Sequence, residues 1–253
     1  MSAKAELDVL WESKDAVALN KPAGLATIPG RAETDDVLAR IARQLGLPCE
    51  GSADPRIRVV HRLDKDTSGV IVFAKNIEAQ RHLSEQFREN RTQKEYLALV
   101  AGRPDTDEGE VDGPLGVHPK SKLRMAVLSH GGRPARTLWK VEKRFRQYTL
   151  IRVFPKTGKT HQIRVHMNHA GFPLAIDPLY NAPRPGAPLG IFLSMFKRGY
   201  RPDAEAERPL IDRLTLHAER LSFQEGDGAT RTIIAPLPKD FRAILNQLQK
   251  YGN

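Results

Sequence analysis

The sequence predicts an α+β fold, a largely antiparallel mixed sheet with flanking helices and loops. Short apolar runs of strand length recur along the chain, and turn residues separate them. Helical periodicities lie between some of these runs, but they do not alternate regularly with strands as a parallel βαβ fold requires. The 253 residues suffice for one substantial core. No internal repeat or clear linker divides the chain, so we predict a single domain over residues 1–253, with its core at about 10–235.

Four strands and two helices are predicted in the first part of the chain. Apolar runs that end in turn residues predict strands at residues 16–20, 58–63, 70–74 and 96–100. Thr34 can cap a first helix that ends at Gly46, and Asn76 can cap a second. Residues 102–116 carry Gly, Pro and five acidic residues, which favours a solvated loop there.

The second part of the chain predicts a hairpin, two further strands and two helices. The hairpin covers residues 137–145 and 148–154, and the later strands cover 213–223 and 232–235. Thr160 can cap a short helix over residues 161–170. A closing helix has apolar residues at positions i, i+3, i+4 and i+7, namely Phe241, Ile244, Leu245 and Leu248.

The charge balance favours a polyanionic partner. Lys and Arg total 40 against 30 for Asp and Glu, which gives a formal net charge of +10. Such a balance favours RNA, DNA or an anionic membrane surface, although a soluble protein can also be basic without binding any of them. Aromatic residues make up only 6 % of the chain, so a nucleic-acid surface would depend more on charge than on stacked rings.

Cysteine usage and hydropathy indicate a cytoplasmic protein. Cys49 is the only cysteine, so an intramolecular disulfide and a CxxC zinc site are both excluded. The N-terminal segment has no apolar stretch typical of a secretory signal. The apolar runs are far shorter than the roughly 20 residues that span a bilayer.

The stretch with the clearest chemical meaning is residues 61–69, HRLDKDTSG. It places Asp64 on a polar turn at the end of an apolar strand, between Arg62 and Lys65. A carboxylate held in such a turn can act as a nucleophile, a general base or a metal ligand. The structural alternative is a turn aspartate that only accepts backbone N–H groups.

The motif resembles the signature H-R-L-D-x-x-T-S-G of the RluA-type family of pseudouridine synthases. Further blocks of that family follow in order, and the resemblance covers about residues 10–235. These blocks are LNKPAGL at 19–25, KEY at 94–96, GPLG at 113–116, KTGKTHQIRVH at 156–166 and LTLHA at 214–218. The resemblance implies a pseudouridine synthase-like catalytic fold and an RNA-modifying isomerase.

The resemblance also implies roles for individual residues. Asp64 matches the catalytic aspartate, which attacks the target nucleotide at the ribose C1′ or at the base. Tyr96 matches the tyrosine that stacks on the flipped base, and Arg164 matches the arginine paired with the catalytic carboxylate. Arg62 matches the arginine that displaces the target base from the RNA stack, at a cost of a few kcal/mol.

His61 and Lys94, from the same motifs, are assigned with Arg62 to RNA binding. Each assignment has a simpler structural alternative. A tyrosine in an apolar strand is usually a packed aromatic residue, and an arginine on a short helix usually faces solvent. The recurrence of the candidates in family order in one chain favours the functional reading.

The chain departs from the family pattern in three places. Ile176 replaces an expected glycine, which should alter a turn. A segment with five prolines, 181–210, is longer than usual, and we predict that deleting it changes which RNA is modified more than it changes the chemistry. The match begins almost at once, so we expect no N-terminal S4 RNA-binding domain and RNA contacts from the catalytic domain itself.

Three rival motifs fit the sequence less well. Asp64 and Asp66 fit the D-x-D-x-T nucleophile motif of haloacid-dehalogenase-type phosphatases, but no Asp-Asp pair follows and the element pattern is not doubly wound. Residues 158–160 end like a phosphate-binding loop, but Val153 stands where its first glycine is needed. The histidines at 161, 166 and 169 lack the i, i+4 spacing of a helical zinc pair, so we predict no metal site.

A rival of another class is a non-catalytic RNA-binding or ribosome assembly protein on the same fold. It would share the basic charge, but the candidate catalytic residues are all present. The expected partner is ribosomal or transfer RNA, with no membrane and no obligate protein partner. An isomerisation without net redox or hydrolysis needs no cofactor, and chelators should leave activity intact unless the RNA needs Mg²⁺ to fold.

Overall fold

A computed structural model describes residues 6–30, 35–48, 56–183, 189–201 and 207–252. The helices and strands are, in chain order, β1 (Asp8–Glu12), β2 (Ala16–Lys21), α1 (Val37–Gln44), β3 (Arg58–Val59), β4 (Ser68–Ala74), α2 (Ile77–Arg88), β5 (Gln93–Ala101), β6 (Glu108–Asp112), β7 (Leu115–His118), β8 (Ser121–Val127), β9 (Arg136–Arg144), β10 (Tyr148–Pro155), α3 (Gln162–His169), a 3₁₀ turn (Leu193–Met195), β11 (Leu216–Gln224), β12 (Thr230–Ile234) and α4 (Lys239–Tyr251). The pairs β1–β2, β2–β4, β5–β10, β9–β10 and β6–β9 are antiparallel, which confirms the predicted α+β class with a largely antiparallel sheet.

The chain divides into two compact units. The first contains Met1–Glu95 and Ala218–Pro236, and the second contains Tyr96–His217 and Leu237–Asn253. Strands β5 and β11 are each divided between the two. The predicted single domain over residues 1–253 stays a prediction.

The first unit has the strand order β1-β2-β4-β11, with β3 paired to β4 and β12 paired to β11. Strand β4, SGVIVFA, is buried along its whole length, as its apolar sequence predicts for a central strand. Alternate residues of β2 and β4 form an apolar cluster with Leu83 of α2 and Phe223 of β11. Asn76 caps α2 as predicted, since its side chain accepts the Ala79 N–H.

The second unit has the strand order β5-β10-β9-β6, and β7 and β8 form a separate hairpin. The predicted hairpin of β9 and β10 is confirmed, and so is the closing helix α4. Helix α4 buries Phe241, Ile244 and Leu248 in a cluster with Leu99 and Phe196. Among the described residues, no helix has the length and hydropathy to cross a bilayer.

Several local predictions were wrong. The solvated loop at 102–116 contains β6 and the start of β7, because β6 pairs its backbone with β9 and exposes its acids, burying only Val111. Strand β3 ends at Val59, so residues 60–63 are not strand. Asp36 rather than Thr34 caps α1, and Thr34 lies outside the described residues, as does Cys49. Helix α3 has no side-chain cap from Thr160.

Candidate active site

Asp64 lies on a tight turn just before the buried strand β4. The Thr67 N–H donates to the Asp64 carbonyl over 3.1 Å, which closes the turn, and the Asp64 side chain is half-buried. Leu63 on one side and Thr67 on the other are buried, so the turn is packed at both ends. The predicted turn at Asp64 is confirmed, but the predicted strand directly before it is wrong, because β3 ends at Val59 and the turn leads into β4.

Thr27 fixes the residue that precedes Asp64. Its hydroxyl donates to the Leu63 carbonyl over 2.9 Å and accepts the Leu63 N–H over 3.2 Å. Both contacts are buried, so the two backbone groups of Leu63 are satisfied by one side chain in place of a strand partner. The position of the Asp64 turn therefore depends on a hydroxyl 36 residues earlier in the chain.

Lys21 fixes the residue that follows Asp64. Its side chain has no exposed surface, and its ammonium group donates to the carbonyls of Pro22 (2.9 Å), Leu25 (2.7 Å) and Lys65 (2.8 Å). The Gly24 N–H also donates to the Lys65 carbonyl, over 3.0 Å. A buried ammonium is tolerated only when its protons have acceptors, and the Lys65 carbonyl is one of the three that Lys21 uses. The segment of residues 19–25 therefore holds the turn in place.

Gly69 lets β4 approach its neighbour β11. Its φ is +117°, and a Cβ built there would lie 2.1 Å from the Ala218 carbonyl oxygen. A side chain at this position would force the strands apart, two residues after the turn closes. The glycine that ends the HRLDKDTSG motif is therefore explained by the close approach of two backbones.

His61 has contacts inside the first unit. The Val72 N–H of β4 donates to its Nε2 over 3.1 Å, and its ring stacks on Phe87 with centroids 4.2 Å apart. Removal of the ring from water, and then the charge of Lys94, lowers the pKa of His61 to about 3. A neutral imidazole that accepts a strand N–H supports the fold, and the RNA-binding role of His61 stays a prediction.

Arg62 and Lys94 also belong to the first unit. The Arg62 side chain is exposed and Lys94 is half-buried. The first unit thus contains four of the six predicted site residues, His61, Arg62, Asp64 and Lys94. The other two, Tyr96 and Arg164, belong to the second unit, so the predicted Arg164–Asp64 pair stays a prediction.

Tyr96 begins the part of β5 that belongs to the second unit. It pairs with Val153 of β10 and packs, half-buried, against an apolar cluster that includes Ala98 and Trp139. The backbone and the inner face of the ring are therefore fixed by the sheet.

Arg164 is buried on α3 rather than exposed to solvent as is usual on a short helix. Its Nε and Nη2 donate to the two carboxylate oxygens of Asp177, each over 2.8 Å. The side chains are 9 % and 1 % exposed, so this is a bidentate ion pair in the interior. The guanidinium carbon also lies 5.2 Å from the centroid of the Tyr180 ring, which orients it further.

Tyr180 connects Arg164 to its neighbours. Its hydroxyl accepts the Met125 N–H over 2.8 Å and lies 2.9 Å from His161 Nδ1 at the start of α3. His161 has a left-handed backbone with φ of 54°, which explains why the helix begins without a side-chain cap. Arg164 is thus held by the same buried network that fixes the start of its helix.

A family model described as RNA pseudouridylate synthase matches residues 15–169 of this chain. This chain belongs to the RNA pseudouridylate synthase family. The matched range contains the Asp64 turn, Tyr96 and Arg164, and the resemblance of the motifs to this family is confirmed.

Curated relatives and solved structures agree with the family. The chain is 38 % identical over 244 residues to "Ribosomal large subunit pseudouridine synthase D" of Neisseria meningitidis serogroup B, and 38 % identical over 247 residues to the protein of that name from Xanthomonas campestris pv. campestris. The alignments cover 96 % of this chain but 61 % and 70 % of those relatives. The structure titled "Human RNA Pseudouridylate Synthase Domain Containing 4" has a TM-score of 0.72 at 26 % identity and covers 96 % of this chain and 93 % of its own.

The family's expected glycine is replaced by Ile176 without strain in this synthase fold. Ile176 is buried in the cluster around α4, and its φ is not positive. Its N–H donates to Thr215 Oγ1 over 3.2 Å, and its carbonyl accepts the Thr215 N–H. The isoleucine therefore fills the core, and the next residue, Asp177, keeps its place against Arg164.

His166 of α3 has partners inside the synthase fold. His166 Nδ1 lies 2.8 Å from Thr137 Oγ1, and burial lowers its pKa. Within the ranges that the structure describes, no group of three or more His, Cys, Asp or Glu residues could hold a metal ion. Sequence reasoning missed the roles of Lys21 and Thr27, because their partners are backbone groups that no local motif reveals.

Proposed function

We propose that this chain is an RNA pseudouridine synthase, an isomerase that converts uridine to pseudouridine in structured RNA with Asp64 as covalent catalyst. The observation that carries the proposal is the position of Asp64, on a turn clamped by Thr27 and Lys21 inside a range that the family model matches. Because the backbone on both sides of Asp64 is fixed, the carboxylate loses less conformational freedom when it reacts, which is a source of rate acceleration.

In the proposed reaction, the bond between the ribose C1′ and the uracil N1 breaks and a bond between C1′ and C5 forms. Asp64 attacks the nucleotide at C1′ or at the base, the detached base rotates, and it rejoins through carbon. N1 gains a proton and C5 loses its hydrogen, so no oxidant, reductant or water is consumed. We therefore expect no cofactor, and we expect chelators to leave activity intact unless the RNA needs Mg²⁺ to fold.

Arg62, Tyr96 and Arg164 have distinct proposed roles around this carboxylate. Arg62 is exposed and cationic, as needed for a side chain that displaces the target base from its stack. Tyr96 offers a ring anchored in β5 for stacking on the flipped base. Arg164 is proposed to pair with Asp64, and its buried bond to Asp177 would hold the guanidinium ready for that contact.

The proposed substrate is large-subunit ribosomal RNA, with transfer RNA as the second candidate. The names of the curated relatives support ribosomal RNA, and the net charge of +10 supports an RNA partner. His61 and Lys94 are proposed to contribute to RNA binding. We also propose a cytoplasmic location and a single catalytic domain. Two separate unfolding transitions in calorimetry would contradict the single domain.

The test compares wild type with Asp64→Asn on an unmodified large-subunit ribosomal RNA transcript. Pseudouridine is quantified chromatographically after digestion of the RNA to nucleosides, and RNA binding is measured in parallel. We expect product from wild type only, with binding retained by Asp64→Asn. Binding by wild type without product, on ribosomal and transfer RNA alike, would instead support a non-catalytic RNA-binding protein.

A further inference from the structure

A cluster of lysines and aromatic rings lies at the C-terminal end of α4 in the second unit. The ammonium groups of Lys197 and Lys250 each lie 5.1 Å from the centroid of the Tyr251 ring. Lys197 also lies 5.3 Å from the centroid of Tyr200, and Lys143 lies 5.7 Å from that of Phe145. We call Lys143, Lys197, Tyr200, Lys250 and Tyr251 the α4-end patch.

The α4-end patch is built on a packed base. Phe145, Phe196 and Leu248 are buried in one apolar cluster, against which Tyr251 packs. The Arg146 N–H, in the turn between β9 and β10, donates to the Gly252 carbonyl over 2.6 Å and so joins this turn to the end of α4. The lysines therefore project from three chain segments that the core brings together.

Within the described ranges, no carboxylate pairs with a lysine of the α4-end patch, namely Lys143, Lys197 or Lys250. Arg144 nearby differs, because it pairs with Asp107. The hydrogen bond from Lys250, and then the charge of Lys197, lowers the pKa of Tyr251, as a locally positive potential should.

The α4-end patch lies far along the sheet from Tyr96. Val153 pairs with Tyr96, while Tyr148, at the other end of β10, is next to the turn that carries Phe145. These two positions on β10 are five residues apart, which corresponds to about 17 Å of strand. A ligand at the patch would therefore not occupy the place of the target base at Tyr96.

We propose that the α4-end patch binds the phosphate backbone of the RNA substrate, outside the nucleotide that is modified. The inference rests on the proposed function, since it assigns a second contact to the same RNA. Each tyrosine of the patch has an ammonium group within 5.3 Å of its ring centroid, and ammonium groups bind the phosphate oxygens of RNA, so phosphates are the ligands that fit. Such contacts are independent of sequence and add affinity and register without touching the chemistry.

The same lysines could instead only stabilise the fold. A lysine over an exposed aromatic ring contributes about 0.5–1 kcal/mol, and a cation in the last turn of a helix contributes about 0.3–1 kcal/mol. Both effects would appear in the free energy of unfolding and would leave the salt dependence of RNA binding unchanged. The slope of affinity against salt concentration therefore separates the two roles.

The experiment measures binding of a fluorescein-labelled RNA duplex of arbitrary sequence by anisotropy, from about 50 to about 200 mM salt. The test variant is Lys197→Gln with Lys250→Gln, which removes two charges and keeps most of each side-chain stem. The control is Lys239→Gln with Arg242→Gln, exposed cations in the first turn of α4, about 12 to 17 Å from Lys250 along the helix.

We expect the test variant to bind roughly tenfold more weakly and its salt slope to fall by about two, since each phosphate contact contributes about 0.9. Its rate of pseudouridine formation at saturating RNA should stay unchanged. Equal slopes for wild type, test and control variants would overturn the proposal, whether or not thermal stability falls. A failure of the proposed function can be distinguished from a failure of this inference. In the first case wild type forms no pseudouridine, while the salt slopes of duplex binding still show whether the α4-end patch contacts RNA.

Discussion

The hydroxyl of Thr27 should control both the stability of the chain and its rate of reaction. Thr27→Val keeps the size and branching of the side chain but removes the bonds to the Leu63 N–H (3.2 Å) and carbonyl (2.9 Å). Each buried group left without a partner costs about 1–3 kcal/mol, so for the two groups we expect a loss of about 2–6 kcal/mol in the free energy of unfolding. The typical total is about 5–15 kcal/mol, so we expect a weakened but folded variant.

The effect on catalysis follows from the position of Leu63 next to Asp64. A displacement of about 1 Å at a reacting group can lower a rate by about 100-fold. We expect kcat for pseudouridine formation to fall by about tenfold to 100-fold, with KM for RNA nearly unchanged, because no RNA contact is removed.

Thr27→Ser is the matched control, since it keeps the hydroxyl and loses one methyl group, at a cost of about 1 kcal/mol. Urea unfolding and single-turnover kinetics on the three proteins provide the comparison. If Thr27→Val proves no less stable and no slower than Thr27→Ser, the Leu63 contacts do not hold the catalytic turn and the reasoning is refuted.

Three further substitutions test other parts of the structure. Gly69→Ala would place a Cβ 2.1 Å from a backbone oxygen. Its loss in the free energy of unfolding should be several times the roughly 1 kcal/mol expected for the control Gly24→Ala, where the space is open. Equal urea midpoints for the two variants would contradict this. Asp177→Asn leaves Arg164 buried without its carboxylate and should cost about 3 kcal/mol or more and slow pseudouridine formation, measured by unfolding and by kcat. The pKa of His61 is lowered to about 3 in the folded chain, so between that pH and about 6.5 the unfolded chain binds one more proton than the folded chain. The free energy of unfolding should therefore fall as the pH falls through this window, by up to about 1.4 kcal/mol per pH unit. His61→Phe should show a shallower pH dependence in urea titrations, and an unchanged one would refute the buried neutral imidazole.

The parts of the fold that follow from local patterns could be predicted from the sequence. Most of strand β4 is an apolar run, and α4 repeats its apolar residues with helical spacing, so the sequence predicts both elements close to their observed positions. The Asp64 turn was found because its motif is contiguous. Strand β6 was missed because an exposed, acidic edge strand has the composition of a loop, and only its backbone pairing with β9 makes it a strand.

The support of the candidate site could not be predicted, because it depends on contacts between distant residues. The Lys21 ammonium meets the carbonyl of Lys65, 44 residues later, and backbone carbonyls leave no trace in a sequence. Arg164 was identified by its motif, but its burial and its bond to Asp177 arise from the packing of α3 and not from the composition of that helix. Sequence reasoning thus identified the candidate residues, and the structure shows what holds them.

Release of tritium from RNA labelled at uracil C5 tests most directly the claim that Asp64 catalyses uridine isomerisation. Forming pseudouridine displaces that hydrogen, so release follows the reaction itself. Asp66→Asn is the matched control, because it removes a carboxylate from the same turn and would disable a phosphatase of the D-x-D-x-T type. We expect release by wild type and Asp66→Asn and none by Asp64→Asn. Release by Asp64→Asn at the wild-type rate, or no release by wild type from any cellular RNA fraction, would contradict the account.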